Sequence, residues 1–99
     1  MNENSIYDLV SKIPIGSVMT YGQIAKRVGT GPRVVGNVLH NNPDPVNTPC
    51  HRVVNSRGEI AVNFAFGGQT GQAELLKKEG IIFQKNGRID LEKYGFEIR

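Results

Sequence analysis

The stretch Met19-Thr20-Tyr21-Gly22-Gln23-Ile24-Ala25-Lys26-Arg27-Val28-Gly29-Thr30-Gly31-Pro32-Arg33-Val34-Val35-Gly36-Asn37-Val38-Leu39-His40 decides how the rest of the chain is read. Thr20 and Gln23 have the Thr-x-x-Gln spacing of a capping box, in which two side chains take up backbone N–H groups that a helix start leaves unpaired. Ile24, Ala25 and Val28 then form a narrow apolar face, and Gly29 is a C-terminal stop. Pro32 suits the first position of a second helix. The apolar residues of that helix are Val34, Val35, Val38 and Leu39, and its opposite face carries Arg33, Gly36, Asn37 and His40. Two short helices joined by a tight glycine-containing turn form a helix-turn-helix pattern. The second helix presents a cationic, hydrogen-bonding stripe with a gap at Gly36, suited to close approach to a groove.

Upstream, Ile6, Leu9, Val10 and Ile13 stand at helical spacing and predict a short amphipathic helix over Ser5 to Ile13, stopped by Pro14. Downstream, Arg52-Val53-Val54 and Glu59-Ile60-Ala61-Val62 flank Asn55-Ser56-Arg57-Gly58, the pattern of a hairpin with a polar turn. Asn63-Phe64-Ala65-Phe66-Gly67-Gly68 is a loop. Thr70 to Glu79 returns to helix, with Ala73, Leu75 and Leu76 apolar and Gly80 as the stop. Ile81-Ile82-Phe83 and Arg88-Ile89-Asp90 flank Gln84-Lys85-Asn86-Gly87, a second hairpin with an Asn-Gly signal. Leu91 to Arg99 carries no decisive pattern. The expected fold is α+β, mainly helical: a winged-helix or helix-turn-helix domain with short β-hairpins, as a single domain over residues 1–99.

Composition narrows the function classes. Ninety-nine residues suit one compact domain with a modest core. A formal net charge of +3 permits nucleic-acid binding without demanding it, because acidic residues are interspersed. No apolar run is long enough to span a bilayer and no signal-peptide pattern opens the chain, so no membrane association is expected. A single cysteine cannot form an intramolecular disulfide, which favours a reducing, cytoplasmic compartment. With His40 and His51 it supplies too few ligands for a cysteine-based zinc site, and no metal is expected.

The chemistry is concentrated in Asn42-Pro43-Asp44-Pro45-Val46-Asn47-Thr48-Pro49-Cys50-His51-Arg52-Val53-Val54. Proline rings fix φ and remove donors, so this loop pre-sets its own path. A lone cysteine is by default a small buried hydrophobe. Its position after a stiff loop and beside an imidazole points instead to a reactive thiol, since an imidazole favours the nucleophilic thiolate. Adjacent residues of an extended strand face opposite ways, so His51 can serve Cys50 only if the chain bends there or a water bridges them. A carboxylate would then be needed to orient the ring. Tyr21 and Arg33 open the two candidate helices. They read either as a half-buried tyrosine and a solvated arginine or as DNA contacts. Asn42 reads as a turn former before Pro43 or as a hydrogen-bonded tie between the second helix and the thiol loop. Glu79 and His40 read by default as solvated groups.

Pro49-Cys50-His51-Arg52-Val53-Val54 resembles the active-site motif of the O6-alkylguanine-DNA alkyltransferases, also called methylated-DNA–protein-cysteine methyltransferases. The resemblance runs from about Ile13 to Ile81 and takes in Tyr21 to Ala25, Arg33 with Val34-Val35-Gly36, Asn41-Asn42-Pro43, Gly67-Gly68 and Glu79-Gly80. It implies stoichiometric transfer of an alkyl group from O6-alkylguanine in double-stranded DNA to Cys50, with the nucleotide flipped out and the second helix in the minor groove. His51 would draw the thiol proton through a water, Glu79 would orient His51, and Asn42 would buttress the turn. Tyr21 would stand beside the extrahelical base and donate a proton to it, and Arg33 would enter the duplex. Gly36, Asn37 and Thr20 complete the expected DNA-binding residues. No cofactor is implied, and a monomer is expected. The chain shows no separate N-terminal domain, and Ala65-Phe66 precedes the double glycine where many members have a Tyr-Ser or similar pair. That reduced body is closer to the small alkyltransferase-like proteins, which bind alkylated DNA without repairing it and typically have Trp where this chain has Cys50. A non-enzymatic lesion binder that signals to a partner repair pathway is therefore the alternative, and a winged-helix protein with a structural Cys50 the third reading.

Overall fold

The computed structural model describes residues 3–60 and 68–97. Its elements run α1 (Glu3–Val10), β1 (Met19–Thr20), α2 (Tyr21–Val28), α3 (Pro32–His40), a 3-10 turn (Cys50–Arg52), β2 (Val53–Val54), α4 (Gly68–Lys78) and α5 (Leu91–Tyr94). The fold is mostly helical with one small sheet. The expected loop Asn63–Phe66 and the strand end at Ala61-Val62 lie outside the described residues.

The local signals form as read. Thr20 accepts from the Gln23 backbone N–H at 3.1 Å while the Gln23 side chain accepts from the Thr20 N–H at 2.8 Å, completing the capping box of α2. Gly29 closes that helix at φ 82°, a left-handed conformation that a Cβ would disfavour. Pro32 opens α3 one residue after the Gly31 cap. α1 ends at Val10, and the chain reaches Ile13 through tighter turns in which Lys12 and Ile13 donate to Leu9 and Val10. Ile6, Leu9, Val10 and Ile13 are all buried, as their spacing requires. They pack with Ile24 and Ala25 of α2, Val35 and Leu39 of α3, and Cys50 and Val53 in one apolar cluster. Val34, expected on the inward face of α3, is exposed.

The sheet differs from expectation. Met19-Thr20 pairs in parallel with Val53-Val54, Met19 opposite Val53. Each strand has only two residues, too few to show a period of two in the sequence. Alternation nevertheless governs the packing. Met19 and Val53 enter the first cluster, whereas Val18 and Val54 enter a second with Leu76, Ile81 and Ile89. The ribbon thus separates two small cores. The two expected hairpins appear among the described residues as hydrogen-bonded turns, Asn55 N–H to Glu59 at 3.0 Å and Gln84 N–H to Arg88 at 2.9 Å, and Val53-Val54 pairs with β1 instead of with a hairpin partner. These turns are joined, since Ile89 donates to the Gly58 carbonyl at 2.8 Å. At Gly58, with φ at +80°, a Cβ would collide with the Ile89 carbonyl. Leu91–Tyr94, undecided from sequence, is a single turn capped by Asp90, and Val18 bridges in parallel to Gly95 behind it. Among the described residues no helix is long and apolar enough to cross a membrane.

One polar tie crosses between the cores. Arg52 donates through Nε and Nη2 to the two carboxylate oxygens of Glu79 at 2.8 and 2.7 Å, and through Nη1 to the Ile13 carbonyl at 2.8 Å. Both side chains are largely buried. Burial works against the charged form of Glu79, but the hydrogen bonds from Arg52 and His51, with their charges, hold its carboxyl below the usual carboxylate range. A carboxyl with a depressed folded pKa stabilises the fold fully above its unfolded value, about 4.3 for Glu. That contribution disappears as pH falls through the folded value. Arg52→Met, which strands a largely buried carboxylate, should lower stability by about 3 kcal/mol in urea unfolding. The wild-type unfolding midpoint should decline as pH drops below about 4.3, and Glu79→Gln should remove part of that decline.

Candidate active site and nucleic-acid groove

The loop before the thiol is organised from within. Asn42 is 5% exposed and uses both ends of its amide: Nδ2 donates to the Thr48 carbonyl at 2.8 Å, and Oδ1 accepts from the Asp44 N–H at 3.0 Å. Thr48 N–H donates to the Asp44 carbonyl at 2.9 Å, closing the loop across its prolines. Asn47 donates to the Asp44 carboxylate through its side chain at 2.8 Å and its backbone at 3.2 Å, and these bonds keep that carboxyl below its usual range. Pro49 delivers the chain into the 3-10 turn, where Arg52 N–H reaches back to the Pro49 carbonyl at 3.0 Å.

That turn is the bend the sequence required. Cys50 and His51 are not successive residues of a strand, because the extended ribbon begins only at Val53. In a 3-10 turn, neighbouring side chains diverge by about a third of a revolution. Cys50 faces the first apolar cluster and is 5% exposed. His51 turns toward α4, where Nε2 lies 2.8 Å from Glu79 Oε2. An ionised carboxylate only accepts, so Nε2 carries the proton. In the neutral ring Nδ1 is then the basic nitrogen.

Burial pushes the Cys50 thiol up; hydrogen bonding by Asn42 and by the backbone of Cys50 and His51 pulls the other way without overcoming it. The Tyr21 phenol is also raised, first by burial and then by the charge that Cys50 would carry, so it remains an O–H donor at neutral pH. Tyr21 thus lies near enough to Cys50 that a charge on either group would oppose a charge on the other.

Tyr21 also borders a groove of about 620 Å³. Arg33, Gly36, Asn37 and His40 of α3 form one wall, and Asn55, Glu59 and Ile60 form the other. Gly36 stands over the Tyr21 ring, where a Cβ would lie 4.0 Å from Cε1. The structure thus brings Cys50, His51, Glu79 and Asn42 into one cluster, and Arg33, Gly36 and Asn37 onto one groove wall, with Tyr21 belonging to both. Thr20 is not on that wall. Its hydroxyl serves the α2 cap, and it borders a separate depression with Gln23, Ser56 and Leu91.

Two participants escaped the sequence reading. Arg52 grips the same carboxylate as His51, although it stands inside the quoted motif. Gln72, which is 0% exposed, donates from Nε2 to the His51 and Val53 carbonyls, both at 3.0 Å. The inward residues of α4 are Gln72 and Leu76, with Glu79 just past its end continuing the i, i+4, i+7 spacing, and Leu75, expected on the apolar face, is exposed. A polar residue in register with Leu76 and Glu79 was the available signal.

The chain is similar to known proteins in sequence and in fold. A methylated-DNA–protein-cysteine methyltransferase of Thermococcus barophilus is 49% identical over 57 residues, covering 57% of this chain and 33% of the relative. Alkyltransferase-like protein 1 of Schizosaccharomyces pombe is 40% identical over 78 residues, covering 77% of this chain and 72% of that protein. The crystal structure of S. pombe Atl1 in complex with damaged DNA containing O6-carboxymethylguanine superposes with a TM-score of 0.83 at 33% identity, over 97% of this chain and 94% of that one. The chain spans about a third of the length of the Thermococcus enzyme. Residues 2–81 match the family model described as 6-O-methylguanine DNA methyltransferase, DNA binding domain, and the chain belongs to that family.

Proposed function

We propose that this chain repairs DNA by transferring an alkyl group from O6-alkylguanine to Cys50 in a single turnover. What supports the reading is the 3-10 turn at Cys50–Arg52, which takes the cysteine and the histidine next to it in sequence out of a strand, with that histidine bonded at 2.8 Å to a carboxylate held below its usual range. Thiols buried like Cys50 are poor nucleophiles until a base removes the proton. His51 Nδ1 is the base, acting through a water. The resulting imidazolium is stabilised by Glu79.

The thiolate sulfur attacks the alkyl carbon. The S–C bond forms as the C–O6 bond breaks, and the guanine takes a proton from Tyr21. The proton held on His51 returns through solvent to Tyr21. The S-alkyl cysteine has no leaving route, so each molecule acts once. Asn42 keeps the loop closed so that the thiol does not swing. An O6 atom inside a duplex is out of reach of this buried sulfur, so the nucleotide must leave the stack. Arg33, Gly36 and Asn37 on the groove wall suit a duplex lying along α3 in its minor groove, with the Arg33 side chain offsetting part of the unstacking cost.

A second reading has its own support. The likeness to S. pombe Atl1 runs over nearly the whole of both chains, and burial keeps the Cys50 thiol protonated. On that reading the chain binds the lesion without reacting and marks it for another repair system.

Intact mass after incubation with a duplex containing O6-methylguanine separates the two. Transfer gives one methyl-for-hydrogen gain, absent in Cys50→Ala; saturable lesion binding with no mass gain rejects the enzyme. Arg33→Ala should weaken lesion-duplex binding about tenfold or more, while slowing reaction with free O6-benzylguanine far less. Equal loss on both substrates would remove Arg33 from the flipping step.

A further inference from the structure

Glu79 orients the His51 ring, yet a ring can be held at one nitrogen and still pivot about its own backbone. The backbone of His51 is held separately. Gln72 donates from one amide nitrogen to the carbonyls of His51 and Val53, both at 3.0 Å, using both hydrogens of that nitrogen. Those carbonyls lie on either side of Arg52, so the pair fixes the peptide planes through which the 3-10 turn becomes strand β2. Gln72 lies within α4 and Glu79 follows its last residue, tied back by its N–H to the carbonyl of fully buried Leu76 at 3.1 Å. The helix and the residue just past its end therefore hold His51 at two points, by its carbonyl and by its imidazole.

We propose that Gln72 is a positioning residue for the thiol chemistry, fixing the backbone of the Cys50–Arg52 turn so that His51 Nδ1 addresses Cys50. It touches neither substrate nor reacting atoms. It acts on the rate of proton removal from the thiol and not on recognition of the lesion. Its rate consequence rests on the alkyl-transfer reading above; its structural consequence, one fixed His51 ring orientation, does not.

The test compares wild type, Gln72→Met, which preserves length without donors, and Leu76→Ala, which weakens the same helix face without touching the turn. The readouts are the second-order rate with free O6-benzylguanine, affinity for an O6-methylguanine duplex in a Cys50→Ala background, and the imidazole nitrogen NMR shifts of His51. Gln72→Met should slow the reaction about a hundredfold, as angstrom-scale misplacement of a reacting group does. It should leave duplex affinity within about twofold and shift or split the His51 signals. Leu76→Ala should lose stability with a much smaller rate change. An unchanged rate and unchanged His51 signals in Gln72→Met overturn the proposal, as does an equal rate loss in Leu76→Ala. If Gln72→Met does not fold, Gln72→Asn, one methylene short of both carbonyls, replaces it under the same criteria. Failure of both to fold assigns Gln72 a purely structural role and also overturns the proposal. If wild type transfers no alkyl group, the repair reading falls, and the His51 signals alone then decide the positioning claim.

Discussion

Glu79 Oε2 accepts from both His51 Nε2 and Arg52 Nη2, while Oε1 accepts from Arg52 Nε. The thiol turn, the start of the β-ribbon and the end of α4 all converge on this carboxylate. Hydrogen bonds and charge from both partners oppose the effect of burial on it. The guanidinium also reaches the Ile13 carbonyl, so the tie extends to the end of the N-terminal helical segment. A carboxylate used in this way does two jobs with one geometry. It fixes which nitrogen of His51 bears a proton, and it fastens the central turn to a helix from the second core.

The groove and the thiol cluster are distinct places connected through Tyr21. The groove is built from surface side chains of α3 and from the Asn55–Glu59 turn. That turn is braced from within: Asn55 exchanges hydrogen bonds with Glu59, and Arg57 reaches the same carboxylate at 3.1 Å. The Glu59 carboxyl is pulled below its usual range by Asn55 first, against an opposing burial effect, with the charges of Arg57 and Arg88 adding to the fall. The acidic side chain on this groove wall is thus offset by two arginines of its own neighbourhood.

The parts of the fold legible in the sequence are those whose causes are local. The Thr20 cap, the Gly29 stop, Pro32 at a helix start and the apolar spacing in α1 each depend on residues within a turn or two. The parallel pairing of Met19-Thr20 with Val53-Val54 depends on packing between distant segments and shows no pattern of its own. The residue identities of the site were legible through the Pro-Cys-His-Arg motif and its distant Glu79. Its geometry was not, because three residues in a 3-10 turn have no periodicity, and because a polar Gln72 adds nothing to the apolar pattern of Ala73, Leu75 and Leu76 by which its helix is recognised. Arg52 was read as the beginning of a strand, whereas its side chain is the main partner of Glu79.

Asn42 closes the Pro43–Pro49 segment with both ends of its amide, using only groups of the chain itself. The conformational entropy of that loop has therefore already been lost on folding. A ligand arriving at the adjacent helices finds a preformed rim rather than one it must order, so less of its interaction energy is diverted into freezing the chain. A segment rich in proline thus has its shape settled when the chain folds.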